Sequence, residues 1–98
     1  MATVRIPPIL RPEADGKREL ELPGETVRAV LEALVDTYPS LRARILPANE
    51  LPQFLNVFAD GSDIRLAQGL DTPVGASTAL ILLPAVAGGG AQTAVARG

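Results

Sequence analysis

Few groups in this chain could do chemistry. Its 98 residues contain neither histidine nor cysteine. That excludes a disulfide, a cysteine nucleophile, and any metal site built on thiolates or imidazoles. Ser–His–Asp and Cys–His arrangements are excluded with them. Carboxylates alone can hold a hard cation, but Asp60, Asp63 and Asp71 stand beside turn signals and are expected to be turn formers. The remaining acids are dispersed, with no pair set up for general acid–base work. What stands out is the glycine run in "ILLPAVAGGGAQTAVARG". Gly88 and Gly89 have no β-carbon, so an extended Gly-Gly backbone passes through a channel too narrow for any side chain. Ordering them costs conformational entropy that a mere spacer has no need to recover. A flexible linker into a disordered tail is the plainer account of such a segment. On the other account, a terminal glycine carboxylate is a reactive group held on a thread. Activated as an acyl-adenylate, it is open to a sulfur or nitrogen nucleophile, and the protein is a carrier rather than a catalyst.

A thread of this kind needs a rigid root. "TALILLPAVA" supplies one, since its unbroken apolar run predicts a central strand buried on both faces. At the other end, "TVRIPPIL" alternates Val4 and Ile6 with Thr3 and Arg5, the period of a half-buried strand. Pro7 and Pro8 cannot donate to a ladder, so this strand should bulge or run unpaired there. Asp15-Gly16 marks a turn, and Leu20 and Leu22 alternate with Glu19 and Glu21 in a second strand. Val27, Val30, Leu31, Leu34, Val35 and Tyr38 form one apolar stripe on a helix. Thr26 is the expected N-cap, Glu25 complements the positive end of the helix dipole, and Pro39 bars continuation. "LRARIL" suits a short helical turn and "PANELP" a loop. Phe54, Asn56 and Phe58 alternate with Leu55, Val57 and Ala59 before Asp60-Gly61, a hairpin signal. Ile64 and Leu66 continue the alternation across Asp63 and Arg65. "AQGLDTPVGAS" is a turn-rich connection.

The predicted order is therefore β-β-α-β-β-β. One helix cannot cover both faces of a sheet, so about five strands should curl around it, with the last strand beside the first and parallel to it. That is an α+β, mixed-sheet β-grasp fold, the arrangement ubiquitin uses. The length suits one domain. Net charge is −2 with both signs scattered, which argues against a nucleic-acid or membrane-binding face. The start lacks the basic and apolar regions of a signal peptide, and the apolar run Ala79–Ala87 is interrupted by Pro84 and too short for a bilayer. A cytoplasmic protein, monomeric on its own, is the expectation.

Four stretches carry a resemblance to a known family: "VRIPPILRP", "TVRAVLEALVDTYPSLRARI", "FLNVFADGSDIR" and above all "LLPAVAGG". Over residues 3–89 the sequence resembles the ThiS/MoaD ubiquitin-like sulfur carriers, closest to the branch that supplies sulfur for cysteine synthesis in actinobacteria. The resemblance implies that a ubiquitin-activating-type enzyme adenylates a terminal glycine with ATP. Sulfur then gives a thiocarboxylate, which a sulfur-accepting synthase consumes, in some branches a pyridoxal-phosphate enzyme. No cofactor is implied on the carrier itself. By the motif, Gly89 carries the thiocarboxylate, and Ala85, Val86, Ala87 and Gly88 form the arm entering partner active sites. The resemblance also implies that apolar side chains near the sheet surface, such as Phe54 or Leu66, contact partners, but sequence does not separate them from core. A molybdopterin synthase small subunit, or a β-grasp binding module with an inert tail, are the competing readings.

The family's active form ends at the Gly-Gly pair, whereas here residues 90–98 follow it. A peptide bond after Gly89 leaves no carboxylate to adenylate. The division expected is a carrier domain over 1–89 and a disordered extension over 90–98. The extension is a pro-segment cut at the Gly89–Gly90 junction, a relic on a protein that no longer carries sulfur, or an artificial addition. For the first case the resemblance implies a zinc-dependent peptidase of the JAMM type. Cleavage after Gly90 would also leave a Gly-Gly end.

Overall fold

The computed structural model describes residues 1–84. Strand β1 spans Ala2–Arg5 and β2 spans Glu19–Leu22, paired antiparallel with Val4 opposite Leu20. Strands β3, Leu55–Ala59, and β4, Ser62–Asp63, form a second antiparallel pair. Strand β5, Ala79–Pro84, lies between β1 and β3. The sheet order is β2-β1-β5-β3-β4, and β5 runs parallel to β1 and antiparallel to β3. The expected mixed five-stranded sheet, with its last strand central and parallel to the first, is what the chain forms.

Helix α1 spans Val27–Thr37 and buries Val27, Val30, Leu31, Leu34 and Val35 against the sheet. The Thr26 hydroxyl accepts from the Ala29 amide at 3.2 Å, satisfying one of the first-turn donors that have no partner inside the helix. The helix stops at Tyr38, its C-cap, one residue before Pro39. A short helix α2, Arg42–Ile45, follows and buries Ile45. The start of α1 is tied to the connection that leads into β5. The Val27 amide donates to the Thr72 carbonyl, and the Val74 amide to the Glu25 carbonyl, each at 3.0 Å. Helix position and strand position are thereby coupled.

Gly24 makes that coupling tight. It has φ +147°, and a β-carbon there would lie 2.7 Å from the Val30 amide nitrogen and 2.8 Å from Val30 Cγ2. The chain passes so close to α1 that only glycine fits.

Three expectations need correction. Ile64 and Leu66 do not extend β4; Ile64–Leu66 is a single 3-10 turn. The Asp63 carboxylate accepts from the Arg65 amide at 2.9 Å, bending the chain away from the sheet after two paired residues. Ile64 goes into the core and Leu66 is left 87% exposed. Strand β5 is not buried on both faces: Leu80 and Leu82 enter the core, while Ile81 is half-buried and Leu83 is 47% exposed. A single helical layer covers one face of the sheet, so the apolar residues of β5 on the other face stay accessible. The first strand also ends sooner than "TVRIPPIL" suggests. After Pro7 and Pro8 remove two ladder donors, the chain winds into a 3-10 segment, Pro8–Ala14.

Candidate functional site at the root of the C-terminal arm

The sequence-predicted site residues, Ala85, Val86, Ala87, Gly88, Gly89 and Gly90, lie outside the described residues. What the structure gives is the base from which they depart. Strand β5 is gripped along its length by β3, from Ala59 opposite Leu80 to Leu55 opposite Pro84. On its other side the pairing with β1 stops at Arg5 opposite Ile81. Leu82, Leu83 and Pro84 therefore run past the end of β1 with one strand neighbour instead of two. Pro7 and Pro8 explain the asymmetry, since neither carries an amide hydrogen that could continue the ladder.

The strand cannot slide out of this position without cost. Leu80 and Leu82 are fully buried, and withdrawing either forfeits about 1.5–3 kcal/mol of apolar burial. At its start, the Ala79 amide donates to Asp60 Oδ1 at 2.9 Å, and the Thr3 amide donates to the Thr78 carbonyl at 3.0 Å. The root is thus pinned at one end by hydrogen bonds and along its length by core packing.

Two kinds of surface flank Leu83 and Pro84. Toward β3, Leu83 stands opposite Asn56 on the outer face, and Phe54 is 55% exposed nearby in sequence. Arg65 clamps this side: its guanidinium donates to Asn56 Oδ1 at 2.7 Å, the Leu55 carbonyl at 2.9 Å and the Pro52 carbonyl at 3.0 Å. Toward β1, a cleft of about 200 Å³ is lined by Ile6, Pro7, Pro8, Ile81, Leu82 and Leu83, with Arg5 and Arg11 at its rim. It adjoins a more polar cleft bounded by Arg5, Arg11, Arg18 and Glu19. Sequence reasoning treated the charges as scattered and did not see these arginines meet. The strand alternation places Arg5 outward beside Glu19, but the course of the 3-10 segment that returns Arg11 has no sequence signal of that kind.

The three acids beside the turn signals have structural partners. Asp60 holds the start of β5, Asp63 makes the turn into Ile64–Leu66, and Asp71 lies 3.7 Å from Arg28. Asp60 and Gly61 sit at φ 50° and 89°, as a tight hairpin between β3 and β4 requires. The structure bears out the reading of Asp60 and Asp63 as turn formers; at Asp71 the side-chain hydrogen bonds of the turn are made by Thr72 instead. Among the described residues no group of three His, Cys, Asp or Glu could hold a metal ion, and no helix is long and apolar enough to cross a membrane.

Comparison with known proteins places this geometry. The ThiS family model matches residues 4–89. The sulfur carrier protein CysO of Mycobacterium tuberculosis is 34% identical over 90 residues, covering 89% of this chain and 97% of its own. A chain of the Amycolatopsis orientalis BexX/CysO complex superposes with a TM-score of 0.84 at 35% identity, over 91% of this chain and all of its own. Small archaeal modifier protein 1 of Methanosarcina acetivorans follows with a TM-score of 0.79 at 36% identity, over 90% of this chain and 95% of its own. A β-grasp sheet with a central last strand, a family match over residues 4–89 and sulfur-carrier relatives covering 89% and 91% of the chain identify it as a member of the ThiS family of sulfur carriers.

Proposed function

We propose that this protein carries sulfur on the carboxyl group of Gly89 for a biosynthetic enzyme that makes cysteine or a related sulfur-containing metabolite. The observation that carries the reading is the continuity of β5 with the arm. The strand is fixed in the core to Leu82, and seven residues later the family match ends on Gly89. A rigid root followed by small residues and a glycine pair suits delivery of a terminal group into a narrow active site. The chain supplies the group that is activated and acts as a co-substrate of other enzymes, working in the cytoplasm.

The chemistry follows from a free glycine carboxylate. Its oxygen attacks the α-phosphate of ATP on a ubiquitin-activating-type enzyme, and pyrophosphate leaves. A hydrosulfide ion then attacks the acyl carbon and AMP leaves, so that the glycine ends in a thiocarboxylate. A sulfur-accepting synthase takes the sulfur from it. Support for such a partner comes from the Amycolatopsis relative, which was solved in complex with BexX.

Residues 90–98 stand between the chain and this chemistry, because Gly89 is in peptide linkage to Gly90. We infer that a metallopeptidase of the JAMM type hydrolyses that bond and frees the carboxylate. The test compares the 98-residue chain with a form ending at Gly89, each incubated with the activating enzyme, ATP and labelled pyrophosphate. The Gly89-ended form should support exchange of label into ATP and the longer chain should not. Absence of exchange with both forms would remove the carrier reading.

A further inference from the structure

The arginines beside the arm root have no role in the acyl chemistry. Arg5 projects from the outer face of β1, Arg11 lies in the 3-10 segment, and Arg18 precedes β2. With Glu19 they bound an open cleft of about 430 Å³. Arg5 and Arg11 also line the smaller apolar cleft against Ile81 and Leu83, so the two clefts adjoin. Three guanidinium groups face one carboxylate here, on a chain whose net charge is −2. Their internal bonds leave most of their donors unused. Arg5 Nε meets Glu19 Oε2 at 3.2 Å, and Arg11 Nε donates to the Ile6 carbonyl at 3.0 Å, which fixes its head at the cleft. Arg18 is exposed and makes no side-chain hydrogen bond or ion pair among the described residues. A guanidinium presents five donors in a planar fork that matches a carboxylate.

We propose that Arg5, Arg11 and Arg18 form a docking surface for an acidic segment, bearing Asp or Glu side chains, of the activating enzyme that receives the arm. Charge complementarity selects the segment's chemistry. Position narrows its owner to the enzymes that admit the residues after Pro84, since their active sites must come against Leu83 and the clefts beside it, and of these the activating enzyme is the one that acts first on the freed Gly89 carboxylate. A nucleic acid is disfavoured, since the arginines are confined to one cleft with no aromatic platform among them. The apolar floor of Ile81 and Leu83 supplies contact area, while the arginines steer the approach and set its orientation. The proposal rests on the carrier reading, and the experiment separates the two.

The experiment measures association of the Gly89-ended chain with the activating enzyme by stopped-flow fluorescence at low and physiological salt. Arg18→Glu alters a side chain without structural bonds, and circular dichroism checks that the fold is kept. A control of equal charge change, Gln68→Glu with Ser77→Glu, lies away from the arm root. Arg18→Glu should slow association about tenfold at low salt and flatten the salt dependence, with dissociation little changed. The control should stay within about twofold of wild type. If Arg18→Glu associates as wild type does, or the control slows equally, the docking surface is refuted while adenylation of the wild type keeps the carrier reading intact. A wild type that neither binds the enzyme nor is adenylated removes both.

Discussion

Replacing Gly24 by alanine tests the contact that locks α1 to the sheet carrying the arm. The cost has three parts. At φ +147° an L-residue is strained, by about 1–3 kcal/mol. The new methyl would meet the Val30 amide nitrogen at 2.7 Å, Val30 Cγ2 at 2.8 Å and the Ala29 carbonyl carbon at 3.0 Å. Two of these atoms are helix backbone and cannot rotate aside, so relief requires α1 to shift, an overpacking cost of about 1–3 kcal/mol. The stiffer unfolded chain returns about 0.4–1 kcal/mol. At the middle of these ranges the net is a loss of about 3 kcal/mol, a large share of the roughly 5–15 kcal/mol that stabilises a small domain. At about 4–8 °C per kcal/mol for a domain of this size, the melting temperature should fall by about 10–25 °C. Thermal unfolding followed by circular dichroism measures it. Gly61→Ala is the control, because its φ is +89° but a β-carbon there meets nothing within 4 Å. It should lose only the backbone strain, about 1 kcal/mol after the unfolded-state gain. If Gly24→Ala melts no lower than Gly61→Ala, the close approach is not a constraint and the reasoning fails.

Leu82→Ala empties a fully buried site on the strand that roots the arm, and should cost about 2–5 kcal/mol in denaturant titration. Leu83→Ala, on the open face, should cost under about 1 kcal/mol in the same titration; equal losses would contradict the one-sided burial of β5. Arg65→Ala breaks three hydrogen bonds that hold Pro52, Leu55 and Asn56 together. Solvent can replace part of that loss at this exposed site, so about 1–2 kcal/mol is expected, with faster amide exchange in residues 52–56 as the local signature. Thr26→Ala removes the α1 cap and should cost about 1 kcal/mol, whereas Thr26→Ser should restore it.

The parts of the fold legible in the sequence are those fixed by local pattern. The α1 stripe, the Thr26 cap, the Pro39 stop and the Asp60-Gly61 hairpin each follow from spacing or backbone chemistry within a few residues. The central place of β5 followed from its unbroken apolar run, although the burial on both faces that the same run suggested did not. The failures have a common cause in tertiary context. Ile64 and Leu66 alternate like strand residues, but the Asp63 side chain captures the Arg65 amide and turns the chain. The apolar run of β5 suggests two buried faces, and nothing in it says that among the described residues no second layer covers Ile81 and Leu83. The meeting of Arg5, Arg11 and Arg18 depends on the path of Pro8–Ala14, which local pattern does not encode. The residues that name the chemistry, Gly88 and Gly89, were the reverse case, legible as a motif yet outside the described residues.

The central claim is that sulfur is carried at Gly89, and intact-mass spectrometry tests it most directly. The Gly89-ended chain is incubated with the activating enzyme, ATP and a sulfide source, then weighed and fragmented. The account predicts a gain equal to the replacement of one oxygen by sulfur, located on the terminal glycine and absent when ATP is omitted. An unchanged mass under conditions in which the enzyme loads another carrier, or sulfur found anywhere but Gly89, would contradict it.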